Sequence, residues 1–481
     1  MHSIYLDHAA STPVDPRVMR AMQPYFTERF GNPGSLHSFG QEAIAAVDRA
    51  REAVATALGR PRGEGFREII FTGSATEANN LALCGVVKEA VGRARHSEAA
   101  AEESSPRSQR RSFGVPQDDG QRPRVIVSSI EHESVLETAR DLERDGIEVI
   151  YLPVDQNGRV KIAALREALT PETILVSIMY GNNETGVIQP IREIARIIRE
   201  FRATQGVVTV QSVGAVVARR SNERAAASDR TITTATTAAM YPLLHTDAAQ
   251  CFAYLSCDPD ELGVDLMTLS AHKLGGPKGV GCLFVRSTTN VVVARNVGAV
   301  GARRSNERAA ASDPTFTTVL APVTTGGRQE FGLRSATENV PAIAGFGKAV
   351  ELAARERAAT VRQVSRLHTL FVGGLKKIAP RFSINGGGET LPHILNLRLP
   401  GVSAADLLVA LDRRGVAVSA GSACNARSFE PSHVLTAMGQ GGEKLARESI
   451  RISFGKATTA EEVHAALRIF REVIPAVSSK P

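Results

Sequence analysis

Three residues in this 481-residue chain have the type and setting to do chemistry: a cysteine among small residues near the C-terminus, and an aspartate and a lysine that each close an apolar run. Cys424 lies in Gly421-Ser-Ala-Cys-Asn-Ala-Arg427. Its small neighbours leave the thiol accessible, and Arg427 favours the thiolate, the reactive form of a group whose ordinary pKa is about 8.5. Asp247 closes LLHTDAAQ (Leu243 to Gln250) and Lys273 closes DLMTLSAHK (Asp265 to Lys273). In an open α/β sheet ligands bind beyond the carboxyl ends of the strands, so these two side chains converge on one crevice. A carboxylate there needs a cation, and a crowded lysine has a depressed pKa suited to Schiff-base formation. Pyridoxal phosphate (PLP) uses such a pair: a lysine for its aldehyde and an aspartate to keep its pyridine nitrogen protonated. For two isolated residues a plain salt bridge is the competing explanation.

Other strand ends carry further polar groups. TGSATEANN (Thr72 to Asn80) follows a strand and opens a helix, so first-turn N–H groups and the Thr76 hydroxyl are available to a phosphate; helix capping accounts for Thr76 equally well. SIEHESV (Ser129 to Val135) places His132 where its ring would stack on a flat cofactor, although a lone histidine there is more often a core residue. YGNNETG (Tyr180 to Gly186) offers Asn183 to a carboxylate or simply forms a turn. SIRISFG (Ser449 to Gly455) contains Arg451, whose guanidinium matches a carboxylate bidentately or enters a surface ion pair.

The elements that must position these groups follow from the apolar pattern. Seven short β-branched runs, at 68–73, 124–130, 147–154, 173–181, 243–250, 265–273 and 279–285, alternate with helical patterns. Continuously apolar strands of this kind form a mainly parallel sheet covered on both faces, an α/β domain. Beyond Asn339 a long helical stretch precedes short elements near 394–398, 417–419 and 449–454, the pattern of a smaller α+β domain. Three segments interrupt the plan: 93–122, rich in Ser, Ala, Glu and Arg, then 212–241 and 288–322, which share the dodecamer ARRSNERAAASD at 218–229 and 302–313. They read as surface insertions, the first of them disordered. Composition is that of an ordinary globular protein, 43% hydrophobic and 22% charged, with a mild net charge of +7 and no basic stripe, which argues against nucleic acid as partner. No apolar stretch approaches the roughly 18 residues of a membrane span. Five cysteines without CxxC or zinc-ligand spacing argue against a metal site and for a reducing, cytoplasmic setting, and the N-terminus shows no presequence.

Taken together, YLDHAASTPVDPRV, FGNPGSLHSFG, TGSATEANN, EHESV, NNETG, HTDAAQ, SAHKLGGPKG, GSAC with EPSHVL, and RISFG resemble, in order and near their spacing, the cysteine desulfurases of the NifS and IscS type, within the class V aminotransferase family. The resemblance implies a PLP-dependent transferase of fold type I. It gives a large domain at 16–355 and a small domain formed by 1–15 and 356–481 that carries the cysteine loop. Lys273 would hold the cofactor's aldehyde, Asp247 its pyridine nitrogen, Gln250 its ring hydroxyl, and His132 would stack on the ring. Phosphate ligands would be Ala75, Thr76, Ser270 and His272, with Thr337 contributed by the other subunit of a homodimer. Asn183 and Arg451 would hold the carboxylate of an L-cysteine substrate, and Cys424 would take its sulfur as a persulfide for an iron-sulfur scaffold or another acceptor protein. Where the family has glycine, histidine, arginine and glycine, this chain has Arg328, Gln329, Phe331 and Ala336. Gln329 and the insertion near Arg93 also resemble selenocysteine lyases. Another PLP enzyme of the same fold, and a scaffold whose site the insertions disable, complete the alternatives.

A solvated insertion is removable at little thermodynamic cost. Deleting Ala302 to Asp313 is therefore expected to leave the thermal unfolding midpoint and oligomeric state unchanged, as checked by calorimetry and gel filtration.

Overall fold

The computed structural model describes residues 3–102, 122–205, 207–208, 237–238, 241–287, 319–421, 431–439 and 441–478. Both dodecamers, Cys424 and Arg427 lie outside the described residues. All seven expected strands are present: β1 (Ile69–Thr72), β2 (Arg124–Ser128), β3 (Glu148–Leu152), β4 (Thr173–Ser177), β5 (Leu243–Asp247), β6 (Leu266–Ser270) and β7 (Gly281–Val285). They form one sheet in the order β1-β7-β6-β5-β4-β2-β3, with β7 antiparallel to both neighbours and the other pairings parallel. Their unbroken apolar runs are needed because alternate residues enter different cores. Ile69, Phe71, Ile126, Val176, Leu244 and Met267 pack on one face, and Ile70, Val125, Val127, Leu175, Leu243 and Leu266 on the other.

The C-terminal part contains an antiparallel sheet of β8 (Ser383–Ile384), β9 (Ile394–Arg398) and β10 (Ser449–Ser453). A 36-residue helix, Val340–Leu375, joins it to the main sheet. Asn339 caps this helix by accepting from Ala342 N–H, and Pro341 sits in its first turn, where a missing N–H costs nothing. The expected boundary at 355–356 falls in the middle of this helix. Chain ends and middle are interleaved: Ile4–Tyr5 pairs in parallel with Val416–Ala417, and Asp7 bridges to Ser453.

The insertions are shorter than the sequence suggests. The helix Ala75–Glu102 continues ten residues into the first, because Ala, Glu and Arg are strong helix formers. Thr237–Ala238, inside the expected 212–241 segment, pairs with Val207–Val208. Val319 and Leu320, at the end of the third, are buried beside the helix that starts at Ala75.

Helix Val340–Leu375 packs on helix Ser38–Ala57 at a close approach: a Cβ on Gly347 would lie 2.7 Å from the Ala50 Cα. Backbone cannot yield as a side chain can. Gly347→Val is expected to cost about 1–3 kcal/mol in urea unfolding. Gly373→Ala, at an exposed position of the same helix with open space around it, should gain up to about 1 kcal/mol.

Candidate active site

Of the expected site residues, Ala75, Thr76, His132, Asp247, Gln250, Ser270, His272 and Lys273 lie at or just after the carboxyl ends of β1, β2, β5 and β6. Asp247 is the last residue of β5 and is buried; its register partner on β6 is Thr268. Ser270 ends β6, and a 3-10 turn, Ala271–Lys273, carries His272 and Lys273 away from it. This turn is covered by the N-terminal segment. Thr12 donates backbone N–H and hydroxyl to the His272 carbonyl, at 2.9 and 2.8 Å, and accepts from Gly275 N–H. Lys273 Nζ donates to the carbonyls of Ala9 (2.6 Å) and Ala10 (2.8 Å), while Gln250 Nε2 also donates to Ala9 at 2.9 Å. The lysine is thus placed by two backbone carbonyls, at the same segment that receives the Gln250 amide.

A polar chain ties His132 to Asp247. His132 precedes helix Glu133–Arg144 and caps it, its Nδ1 accepting from Ser134 N–H at 3.1 Å. That assigns the proton of a neutral ring to Nε2. Nδ1 is also 2.9 Å from Ser134 Oγ, which accepts from Asn79 Nδ2 at 2.8 Å. The same Asn79 amide donates to Asp247 Oδ2 at 2.8 Å, and Ala249 N–H supplies Oδ1 at 2.9 Å. A buried carboxylate held by two donors suits a protonated ring nitrogen as its remaining partner. Burial, reinforced by the nearby charges of Lys273 and Lys278, pushes His272 down to about 4, so its imidazole is neutral at neutral pH. Beneath the site Glu131 is fully buried; burial pushes its acid up to about 8 despite bonds from the Ser128 hydroxyl and Met179 N–H, so it stays protonated at neutral pH.

At the phosphate end, Ala75 and Thr76 begin the helix after β1, where first-turn N–H groups have no helical acceptor. Ser74 Oγ takes the Glu77 N–H, and the Glu77 carboxylate takes Gly73 N–H. The amides of Ala75 and Thr76 remain directed at the helix end, the arrangement that binds anions. Thr337 is exposed and lines a cavity of about 160 Å³ with Gly73, Gly279 and Arg334.

Arg451 and Asn183 are brought together as expected, with a constraint the motifs did not reveal. Arg451 is 1% exposed; it donates to the Asn183 carbonyl and to Asp7 Oδ1, both at 2.8 Å. A substrate carboxylate would share this guanidinium with Asp7, and the Arg451 Nε is the buried donor left without a partner. Sequence reasoning assigned no role to Asn79, Asp7 or Ala9. The signal for Asn79 was its position four residues after Ala75, on the same face of the helix.

The donor set therefore fits PLP: a lysine amine, a buried carboxylate for the ring nitrogen, a flat ring at His132 and free helix N–H groups for a phosphate. The family described as Aminotransferase class-V matches residues 4–98, 115–227 and 231–466. The chain belongs to that family, in its IscS and NifS cysteine desulfurase group. It is 38% identical over 476 residues to the IscS 1 protein of Bacillus subtilis (strain 168), covering 98% of this chain and 99% of that one. It is 37% identical to the cysteine desulfurase IscS of Anaeromyxobacter sp. (strain K), covering 98% and 92%. Among solved structures, a NifS-like protein superimposes with a TM-score of 0.71 at 30% identity, covering 98% of this chain and all of that one. SspA in complex with cysteine gives 0.65 at 30%, covering 95% of this chain and 100% of that one. Among the described residues no helix is long and apolar enough to cross a membrane.

Asn79→Ala removes the donor to Asp247 Oδ2. A hydrogen bond to a charged group is worth about 1.5–3 kcal/mol, so PLP affinity should fall about tenfold or more, measured by titrating the apoprotein with the chromophore.

Proposed function

We propose that the protein is a PLP-dependent cysteine desulfurase that converts L-cysteine to L-alanine and leaves the sulfur on Cys424 as a persulfide. The observation that carries this reading is the placement of Lys273, Asp247 and His132 after the strand ends, with His132 linked to Asp247 through Ser134 and Asn79 and Lys273 held at the Ala9 and Ala10 carbonyls. When bound, PLP supplies an electron sink for the pair released at the substrate Cα. Lys273 holds the cofactor's aldehyde and, once released, moves the Cα proton. Asp247 keeps the pyridine nitrogen protonated, Gln250 faces the ring hydroxyl, and Ala75, Thr76, Ser270 and His272 receive the phosphate. Asn183 and Arg451 orient the substrate carboxylate. The His132 Nε2 proton lies on the side of the ring away from Ser134, where it serves proton exchange with substrate.

In the sulfur-transfer step the Cys424 thiolate attacks the substrate sulfur. An S–S bond forms as the Cβ–S bond breaks, and Cβ takes the electron pair and a proton to become the methyl group of alanine. The overall balance is one thiol and one cysteine to one persulfide and one alanine. A homodimer in which Thr337 reaches the other subunit's phosphate completes the site, and the persulfide is handed to an acceptor protein such as an iron-sulfur scaffold. The four free cysteines among the described residues suit a reducing compartment such as the cytoplasm.

Cys424→Ser separates sulfur transfer from cofactor chemistry, since a serine hydroxyl is far less acidic and nucleophilic than a thiol. The variant should keep the PLP absorbance near 400–430 nm and its spectral response to L-cysteine, yet release no alanine. Peptide mass spectrometry of the wild type after L-cysteine treatment should place one added sulfur on Cys424. Lys273→Ala, the control, should lose the borohydride-reducible cofactor. Alanine release by the serine variant at the wild-type rate would overturn the persulfide step, and a much higher rate on selenocysteine than on cysteine would favour a lyase.

A further inference from the structure

Among the described residues, the non-glycine residues with positive φ all lie in one short segment: Arg328 (60°), Glu330 (48°), Phe331 (58°) and Ala336 (152°). Such conformations are strained for residues with a Cβ and persist only where the surroundings over-determine them. Two of the four, Arg328 and Ala336, stand where the resemblance leads one to expect glycine. Both keep a glycine-like backbone although each carries a Cβ.

What holds this segment is a buried ion pair. Glu330 receives both terminal nitrogens of Arg51, at 2.7 and 2.8 Å, and also Phe71 N–H at 2.9 Å. Arg51 comes from the middle of helix Ser38–Ala57, donates also to the Ile69 carbonyl, and lies within 5.4 Å of the ring centres of Phe66, Phe71 and Phe331. The pair is therefore bolted to β1, the strand that leads into the Gly73–Thr76 turn. Farther along, Arg334 pairs with Glu77 at 2.7 Å, the carboxylate that receives Gly73 N–H. Thr337 follows three residues later. Ala336 N–H is held by Gln329 Oε1, and Arg328 N–H faces Ser335 Oγ.

A buried ion pair adds little net stability over apolar packing, because desolvation offsets the attraction. Its directional bonds fix geometry, and here they fix the only strained non-glycine turn among the described residues. We propose that the buried Arg51–Glu330 pair is a positioning device that holds the strained Arg328–Ala336 turn, so that the Gly73–Thr76 turn is presented to the phosphate of this subunit's cofactor and Thr337 to that of the other subunit's. This rests on the PLP reading above and assigns it two residues that touch neither ring nor substrate.

The test compares PLP with pyridoxal, which lacks the phosphate. In Arg51→Met/Glu330→Leu no uncompensated charge is left behind, so the apoprotein should remain folded by circular dichroism. Its PLP affinity should fall at least tenfold while pyridoxal affinity stays within twofold, collapsing the preference that phosphate confers. Glu330→Gln, which keeps shape and hydrogen-bonding capacity, should show the same loss in weaker form and serves if the double variant does not fold. A preference equal to the wild type's in a folded variant would overturn the proposal and leave the pair a purely structural element. A wild type that shows no preference for PLP over pyridoxal would overturn both this proposal and the phosphate site on which it rests.

Discussion

The carbonyl of Ala9 accepts from both Lys273 and Gln250, and that shared acceptor places an N-terminal segment across the open end of the sheet. The segment has no regular structure of its own after Tyr5, so its polar groups must be satisfied by what it crosses. Leu6 donates to the Ala417 carbonyl and accepts from Ser453 N–H, Ala9 N–H donates to Ser453 Oγ, Asp7 accepts from Arg451, and Thr12 donates to the His272 carbonyl. Seven residues, Leu6 to Thr12, thereby join the antiparallel sheet, the turn bearing Lys273 and the arginine expected to hold substrate. The main sheet and the antiparallel sheet are joined here as well as by the long helix.

The strands were legible because each is buried on both faces and reads as an uninterrupted apolar run. Their carboxyl ends were legible too, since polar motifs there have no place in a core. Antiparallel β7 was not, because direction leaves no trace in a run such as Gly279 to Val285. The helical start of the 93–122 segment was missed because its polar composition masks a high helix propensity. Most of the missed site residues act through atoms that composition does not advertise. Ala9 contributes a carbonyl, Asp7 looked like part of a loop, and Asn79 was one amide beside another. The loop of Cys424 was legible only as chemistry and spacing.

Polar burial around the site follows one rule: a group is held in the charge state its neighbours can satisfy. Asp247 has two donors; Glu131, with one unpartnered oxygen, is kept neutral; and His245, buried between the hydroxyls of Ser177 and Thr268, is pushed down to about 4 by desolvation.

The remaining thiols bear on where sulfur is able to travel. Cys251, Cys257 and Cys282 are fully buried, and desolvation raises all three, Cys257 to about 12; Cys84 is raised by the same cause. Without thiolate character they neither attack a persulfide nor oxidise readily. Among the described residues these four thiols are thus poorly suited to pass sulfur from one to another inside the protein.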